Sequence, residues 1–201
     1  PKAQESKPEE INTCIACNQA CLDHVFRNKR ASCLVNPRAC HEYELPEVNE
    51  LATSRKKVAV IGGGPAGLSA ACVAAQRGHQ VTLFERSAEL GGQFNLAMRI
   101  PGKHEFAETM RYFKQRLKSL NVQVNLSTEV DENLLNEQTF EHIILASGVK
   151  ARQIKVPGFT GDPRVLSYTQ AIMNVKQVGS KVAVIGAGGI GFDVAELLLK
   201  P

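Results

Sequence analysis

Two sets of residues in this chain are spaced for chemistry. Cys14, Cys17, Cys21 and Cys33 follow the pattern C-x2-C-x3-C-x11-C. Three thiolates within eight residues can wrap one face of a metal centre, and a fourth arriving after a loop can close it. The second set works through backbone. Gly62, Gly64 and Gly67, with Pro65 and Ala66 inside the same turn, make Gly-x-Gly-x-x-Gly. The first glycine allows a tight turn, the second a close approach of backbone to a pyrophosphate, and the third close packing of helix on strand. Phosphates then rest on unpaired N–H groups at a helix N-terminus. Glu85 ends the next apolar run, where a carboxylate can take both hydroxyls of an adenosine ribose. The turn recurs at Gly186, Gly188 and Gly191, after Val182-Ala183-Val184-Ile185, which repeats Val58-Ala59-Val60-Ile61. Two such turns suggest two nucleotides held near each other, as electron transfer between a flavin and a nicotinamide requires.

The elements that must position these residues are legible around them. Val58–Ile61 is a short apolar run of the kind a strand buried on both faces needs. Leu68 to Arg77 reads as a helix closed by Gly78, and Val81–Phe84 as a second strand ending at Glu85. A glycine turn with a strand before it, a helix after it and an acid at the end of the next strand is a dinucleotide fingerprint. Gly91-Gly92-Gln93 follows in a loop, where the glycines permit close backbone approach and Gln93 offers donors to a phosphate or a flavin ring. Residues 104–120 read as an amphipathic helix, with Phe106, Met110, Phe113, Leu117 and Leu120 on one stripe. Val122–Asn125 and Ser127–Val130 read as short strands, and His142–Ala146 as another buried strand. Small residues at its end, Ala146, Ser147 and Gly148, let the chain pass close to a flavin dinucleotide. Residues 150–164 carry Pro157, Gly158, Gly161 and Pro163, a boundary composition. A short helix then runs from Ser167, a suitable N-cap, to Asn174, and Lys181 begins the second nucleotide strand.

The cysteine segment admits three readings. Its surroundings are short of apolar residues, so residues 14–50 need a staple to hold a fold. A disulfide framework suits small secreted domains and sits poorly beside a nucleotide fold of reducing compartments. Structural zinc usually draws on two separated Cys-x-x-Cys pairs, and one is present. An iron–sulfur cluster uses clustered thiolates plus a distant one, and gives the nucleotide sites a redox partner. Cys40 reads as a spare structural residue and Cys72 as core on the first nucleotide helix. His24 and His41 would be ligands only if a thiolate were displaced. No Ser/His/Asp or paired-carboxylate arrangement stands out, so the chemistry expected is electron transfer.

Composition bounds the rest. The 201 residues suffice for one α/β domain plus parts of others. A net charge of +4, without a basic stripe interleaved with aromatics, argues against a nucleic-acid partner. Residues 58–75 carry no charge, but their glycines and proline make them strand, turn and helix, not a membrane span. The location expected is cytoplasmic. The chain begins without Met on a charged tail and stops soon after Gly191, as expected of a piece of a larger enzyme.

Taken together, these residues resemble the bacterial NADPH-dependent 2,4-dienoyl-CoA reductases, iron–sulfur flavoproteins of the old yellow enzyme type. The likeness runs through Cys14-Ile15-Ala16-Cys17-Asn18-Gln19-Ala20-Cys21-Leu22-Asp23, Ser32-Cys33-Leu34-Val35-Asn36-Pro37, Gly91-Gly92-Gln93-Phe94-Asn95, Ile100-Pro101-Gly102-Lys103, Ile144-Leu145-Ala146-Ser147-Gly148 and Gly188-Gly189-Ile190-Gly191-Phe192-Asp193. It covers nearly all of residues 11–200. Trimethylamine dehydrogenases have a similar layout, with ADP possible in place of FAD, but their second and third cluster cysteines are typically closer. A zinc-stapled, non-catalytic nucleotide-binding module is the remaining alternative.

The resemblance implies an α/β, Rossmann-like fold for two dinucleotides, incomplete here, preceded by a small iron–sulfur segment. Residues 1–13 would be linker, 14–50 the cluster segment, 51–150 the FAD domain, and 151–201 a linker and the opening of the NADPH domain. It implies FAD at Gly62, Gly64, Ala66, Gly67, Glu85, Gly92, Gln93, Lys103, Ala146 and Gly148, with Val130 meeting the adenine edge through its main chain. NADP(H) would sit at Gly186, Gly188 and Gly191, and a [4Fe–4S] cluster on Cys14, Cys17, Cys21 and Cys33. The partners implied are the rest of the same polypeptide, an FMN-binding barrel that reduces the substrate and the remainder of the NADPH domain. Without the barrel, no unsaturated-acyl reductase activity is expected.

Overall fold

The computed structural model describes residues 2–45, 51–152, 157, 158 and 161–199. Its centre is a parallel sheet of four strands, β1 (Lys57–Ile61), β2 (Gln80–Phe84), β3 (Gln123–Asn125) and β4 (His142–Leu145), in the order β3-β2-β1-β4. In chain order the helices are α1 (Leu22–Phe26), α2 (Pro65–Gln76), α3 (Phe94–Ala97), α4 (Phe106–Ser119), α5 (Glu132–Gln138), α6 (Tyr168–Met173) and α7 (Gly189–Leu199). The apolar run Val58-Ala59-Val60 becomes the middle of the sheet because both its faces are covered, and these three residues are buried.

Helices α2 and α4 lie against one face. Leu68, Ala71 and Cys72 of α2 and Met110 and Leu117 of α4 close on Val58, Val60, Val81 and Leu83. This is the stripe expected of residues 104–120, with Phe113 and Leu120 at its margin. Cys72 is core, and burial pushes its thiol up to about 11, so it stays protonated. Gly78 ends α2 at φ +91°, the left-handed conformation that a helix-terminating glycine takes most easily.

A second, smaller core joins Ile100 to Ala171 and Ile172 of α6 and to Val194 and Leu197 of α7. Helix α6 starts on a complete capping box, Ser167 and Gln170 each bonding the other's backbone. Ahead of the sheet, Arg111 of α4 pins the start of the cysteine segment. Its Nη1 donates to the Glu9 carbonyl (2.7 Å) and its Nη2 to that of Ile11 (2.9 Å). The stretch expected as linker is therefore docked on α4 at residues 9–11.

Three expected strands differ. Val182–Ile185 forms no strand among the described residues, and Val182, Val184 and Ile185 are exposed. An apolar run becomes a strand only where a neighbour supplies ladder bonds, and β1, which has two, shows the contrast. His142–Leu145 is a strand, but at the sheet's edge, and Leu145 is 76% exposed where full burial was expected. Ser127–Val130 is a loop instead. Ser127 turns at φ +51°, and the N–H groups of Ser127 and Thr128 bond the Ser87 and Glu85 carbonyls (both 2.9 Å). The boundary stretch at 150–164 falls partly on residues 153–156, 159 and 160, outside the described residues.

Candidate functional site

Because the strands are parallel, their carboxyl ends share one edge, where ligands of open α/β sheets bind. Ile61 stands opposite Phe84 and Leu145, so Gly62, Glu85 and Ala146 emerge side by side. Backbone bonds lock the row, Gly62 N–H to the Phe84 carbonyl and Ala146 N–H to that of Ile61 (both 2.8 Å). Gly62 takes φ +113°, and a Cβ there would run into the Ala146 carbonyl oxygen. A Cβ on Gly67 would strike the Gly62 carbonyl. Both positions therefore demand glycine. Gly64 differs, since a Cβ there would meet open space, and the same holds at Gly148. Gly64 thus leaves an open cradle at the head of α2, and Gly148 borders open space as well.

The cradle suits an anion. Gly64 caps α2 with no side-chain bond, Pro65 occupies the first turn, and that turn holds no acidic residue. The leading N–H groups of α2 are left for a phosphate. Gly91 N–H donates to the Gly63 carbonyl (2.9 Å), bringing the Gly91–Gln93 loop over the turn. A Cβ on Gly92 would lie 3.2 Å from the Gly64 Cα. Gln93 donates its Nε2 to the Val149 carbonyl (3.0 Å), tying this loop to the segment after β4.

Glu85 is 7% exposed and accepts two backbone bonds, from Gly63 N–H to Oε2 (2.6 Å) and from Ser87 N–H to Oε1 (2.8 Å). Burial pushes its carboxyl up, but these donors outweigh it and hold the group below the usual carboxylate range. Each oxygen keeps a lone pair for a hydroxyl donor. Ser127 and Thr128 bond the carbonyls of this same corner, two residues ahead of half-buried Val130.

The second turn copies the first. Gly186 takes φ +115°, and a Cβ on Gly191 would strike the Gly186 carbonyl as Gly67 would strike Gly62. A Cβ on Gly188 would meet open space, as at Gly64. The first turn of α7 likewise has no acidic residue. Lys103, expected beside the flavin site, pairs instead with Asp193 of α7 (Nζ–Oδ2, 2.6 Å) and so belongs structurally to the second turn.

The four cysteines sit on one clamped segment. Ser32 N–H donates to the Ala20 carbonyl (2.6 Å) and Asn12 Nδ2 to that of Val35 (2.5 Å), drawing together the chain beside Cys14, Cys21 and Cys33. Ala16 and Asn18 take positive φ, and Ala16 N–H donates to the Cys14 sulfur (3.4 Å). Among the described residues no three His, Cys, Asp or Glu side chains are grouped to hold a single metal ion. Four thiols are the donor set of an iron–sulfur or a zinc centre, and suit either better than they suit a metal held by carboxylates or histidines.

Between this segment and helices α3 and α4 lies a cavity of about 300 Å³, walled by Ile15, Cys17 and Leu34 on one side and Phe94, Phe106 and Phe113 on the other. Thr109 of α4 also lines it, 3% exposed, its hydroxyl without a partner among the described residues. An orphaned buried hydroxyl costs about 1–3 kcal/mol. The sequence reading missed Thr109 and Arg111, because neither belongs to a motif. The available signals were a threonine interrupting the apolar side of α4 and an arginine paired three residues after Glu108.

The pyridine nucleotide-disulphide oxidoreductase model matches residues 56–200. The chain is 38% identical, over 99% of its length, to the metal reductase of Desulforamulus reducens, of which it covers 30%. It is 35% identical, again over 99%, to the NADH oxidase of Thermoanaerobacter brockii, of which it covers 31%. The solved structure of a 2-naphthoyl-CoA reductase complexed with 2-naphthoyl-CoA superimposes with a TM-score of 0.91 at 34% identity, covering 98% of this chain and 30% of that one. The chain thus spans under a third of each of these three proteins.

Proposed function

The chain belongs to the pyridine nucleotide-disulphide oxidoreductase family, and on that footing we propose that it is the electron-transfer portion of a larger, NADPH-dependent reductase of the dienoyl-CoA type. The order proposed is NADPH at the second turn, FAD at the first, a [4Fe–4S] centre on Cys14, Cys17, Cys21 and Cys33, then FMN in a barrel of the same polypeptide that reduces an unsaturated acyl-CoA. When bound, these groups supply the conversion of a hydride pair into single electrons, since nicotinamide moves two together, a cluster one, and a flavin either.

The residues of the chain bind and orient. The α2 N-terminus takes the flavin pyrophosphate, Glu85 receives ribose hydroxyls, Gly92 lets its loop lie against the first turn, and Gly148 puts no side chain in the cofactor's way. Asp193 lies within the first turns of α7, where an unpaired carboxylate would repel a pyrophosphate, and Lys103 neutralises it. The observation that carries the reading is the buried Glu85 bonded to Gly63 within the glycine turn. Support for the reductase assignment comes from relatives named as reductases and from the fold shared with 2-naphthoyl-CoA reductase.

The test is anaerobic purification followed by absorption spectroscopy, flavin release on denaturation and acid-labile sulfide analysis. FAD and sulfide together are expected. Zinc without sulfide would remove the cluster, and ADP without flavin would point to an amine dehydrogenase.

A further inference from the structure

The two apolar cores are separate, and one segment reaches into both. Leu90 belongs to the main core, and Phe94 packs at its margin. Further along, Ile100 is 4% exposed in the smaller core, with Leu96 at that core's margin. Among the described residues, Ile100 is the only buried member of the smaller core lying before α6. The stretch between is stiff. Ala97 N–H bonds the Gln93 carbonyl (3.1 Å), Met98 N–H that of Phe94 (3.0 Å) and Ile100 N–H that of Ala97 (3.1 Å). Pro101 and Gly102, the latter at φ +75°, then make a turn closed by Lys103 N–H on the Ile100 carbonyl (3.0 Å). Proline and glycine stand where a type II turn takes them.

The ends of this segment stand on the two nucleotide turns. At one end Gly91 N–H holds the Gly63 carbonyl (2.9 Å). At the other, Lys103 Nζ holds Asp193 Oδ2 of α7 (2.6 Å). Val182–Ile185, which leads into the second turn, joins no strand among the described residues, so the sheet does not fix where that turn lies. We propose that residues 90–103 fix it, and that Ile100 and Lys103 are positioning residues for transfer of reducing equivalents between the two nucleotides. The inference rests on the reading of two nucleotide sites above. The step served breaks a C–H bond of the reduced nicotinamide and forms an N–H bond on the flavin ring. The hydrogen moves with both electrons, so the nicotinamide is oxidised and the flavin reduced. Such a step needs reacting atoms about 3–3.5 Å apart, and a small displacement of one turn slows it. A half-exposed ion pair adds little to stability, so the use of this one is geometric.

The experiment compares Lys103→Met with Asp193→Ala in the full-length protein. Both break the pair, and they change the charge beside the second turn in opposite directions. Flavin reduction at saturating nicotinamide nucleotide, followed by stopped-flow absorbance, falls by about tenfold or more in both variants. Nicotinamide nucleotide affinity falls only in Lys103→Met, which leaves the Asp193 carboxylate without its counter-charge. Were Lys103 present only to neutralise Asp193, removing the carboxylate would cost nothing. Reduction at the parent's rate in Asp193→Ala therefore overturns the proposal.

A second measurement needs no cofactor. Spin labels carried by unnatural residues at exposed Lys118 of α4 and Leu199 of α7 report the separation of the two units by pulsed EPR. The distance distribution is narrow in the parent and broadens or shifts in both variants, and an unchanged distribution overturns the link. A parent protein whose flavin accepts nothing from nicotinamide nucleotide would bring down the reading of two sites, and the separation measurement still decides the link.

Discussion

The two glycine turns have the same backbone and different surroundings. Gly62 and Gly186 stand at φ +113° and +115°, and in each turn the third glycine lies against the carbonyl of the first. The strand leading into the first turn is buried at Val58–Val60 and paired on both sides, whereas the matching run before the second is exposed and pairs with no strand among the described residues. The turn is therefore encoded locally, by glycine's access to positive φ and by the start of a helix. The strand is encoded by its neighbours. A turn of this shape thus does not need the run that leads into it to be paired in a sheet.

That contrast can be broken by matched substitutions. Leu83→Ala in β2 is expected to cost about 2–5 kcal/mol, while Ile185→Ala, at an exposed and unpaired position, stays within about 0.5 kcal/mol. Denaturant unfolding of the two variants checks this, and similar losses would mean that the second run is buried in solution. Gly67→Ala places a methyl group against the Gly62 carbonyl at the mouth of the main core and is expected to cost about 3 kcal/mol. Gly191→Ala makes the same clash away from the sheet. It should leave the main unfolding transition in place while abolishing nicotinamide nucleotide binding, read by calorimetric titration.

Glu85→Gln loses two charge-assisted backbone bonds and is expected to cost about 2 kcal/mol at pH 7. The folded carboxyl titrates below its unfolded value, so its contribution is full above that value, about 4.3. It is lost as pH falls through the lower folded one. Urea melts at pH 7, 5 and 3.5 should show the gap between parent and variant closing at the acid end, and a gap that widens there would contradict the geometry. The smallest effect belongs to Lys103→Met, which removes a half-exposed ion pair worth up to about 1 kcal/mol. It should weaken nicotinamide nucleotide binding and leave flavin binding unchanged. The reverse would return Lys103 to the first site.

Much of this was legible from sequence where the code is local. The β1–turn–α2–β2 unit with Glu85, the stripe on α4 and the Ser167 cap stand where propensity and spacing put them. What escaped depends on distant partners. Nothing near Val182 says whether a sheet will receive it, and nothing near Leu145 says that β4 stands at an edge. The fate of Lys103 turned on an aspartate ninety positions away. Helix α5 is the opposite case, starting on a local cap in which Asp131 accepts the Leu134 N–H. The orphaned hydroxyl of Thr109 is visible only as an absence of partners in three dimensions.

The central claim is that the first turn and Glu85 together hold a flavin dinucleotide. Its most direct test is equilibrium titration of FAD into the protein and into Glu85→Gln, followed by flavin fluorescence. The account predicts saturable binding that weakens by about tenfold or more in the variant, since about 1.4 kcal/mol of ribose contact corresponds to that factor. Equal affinity in both proteins, or no FAD binding to either, would contradict it.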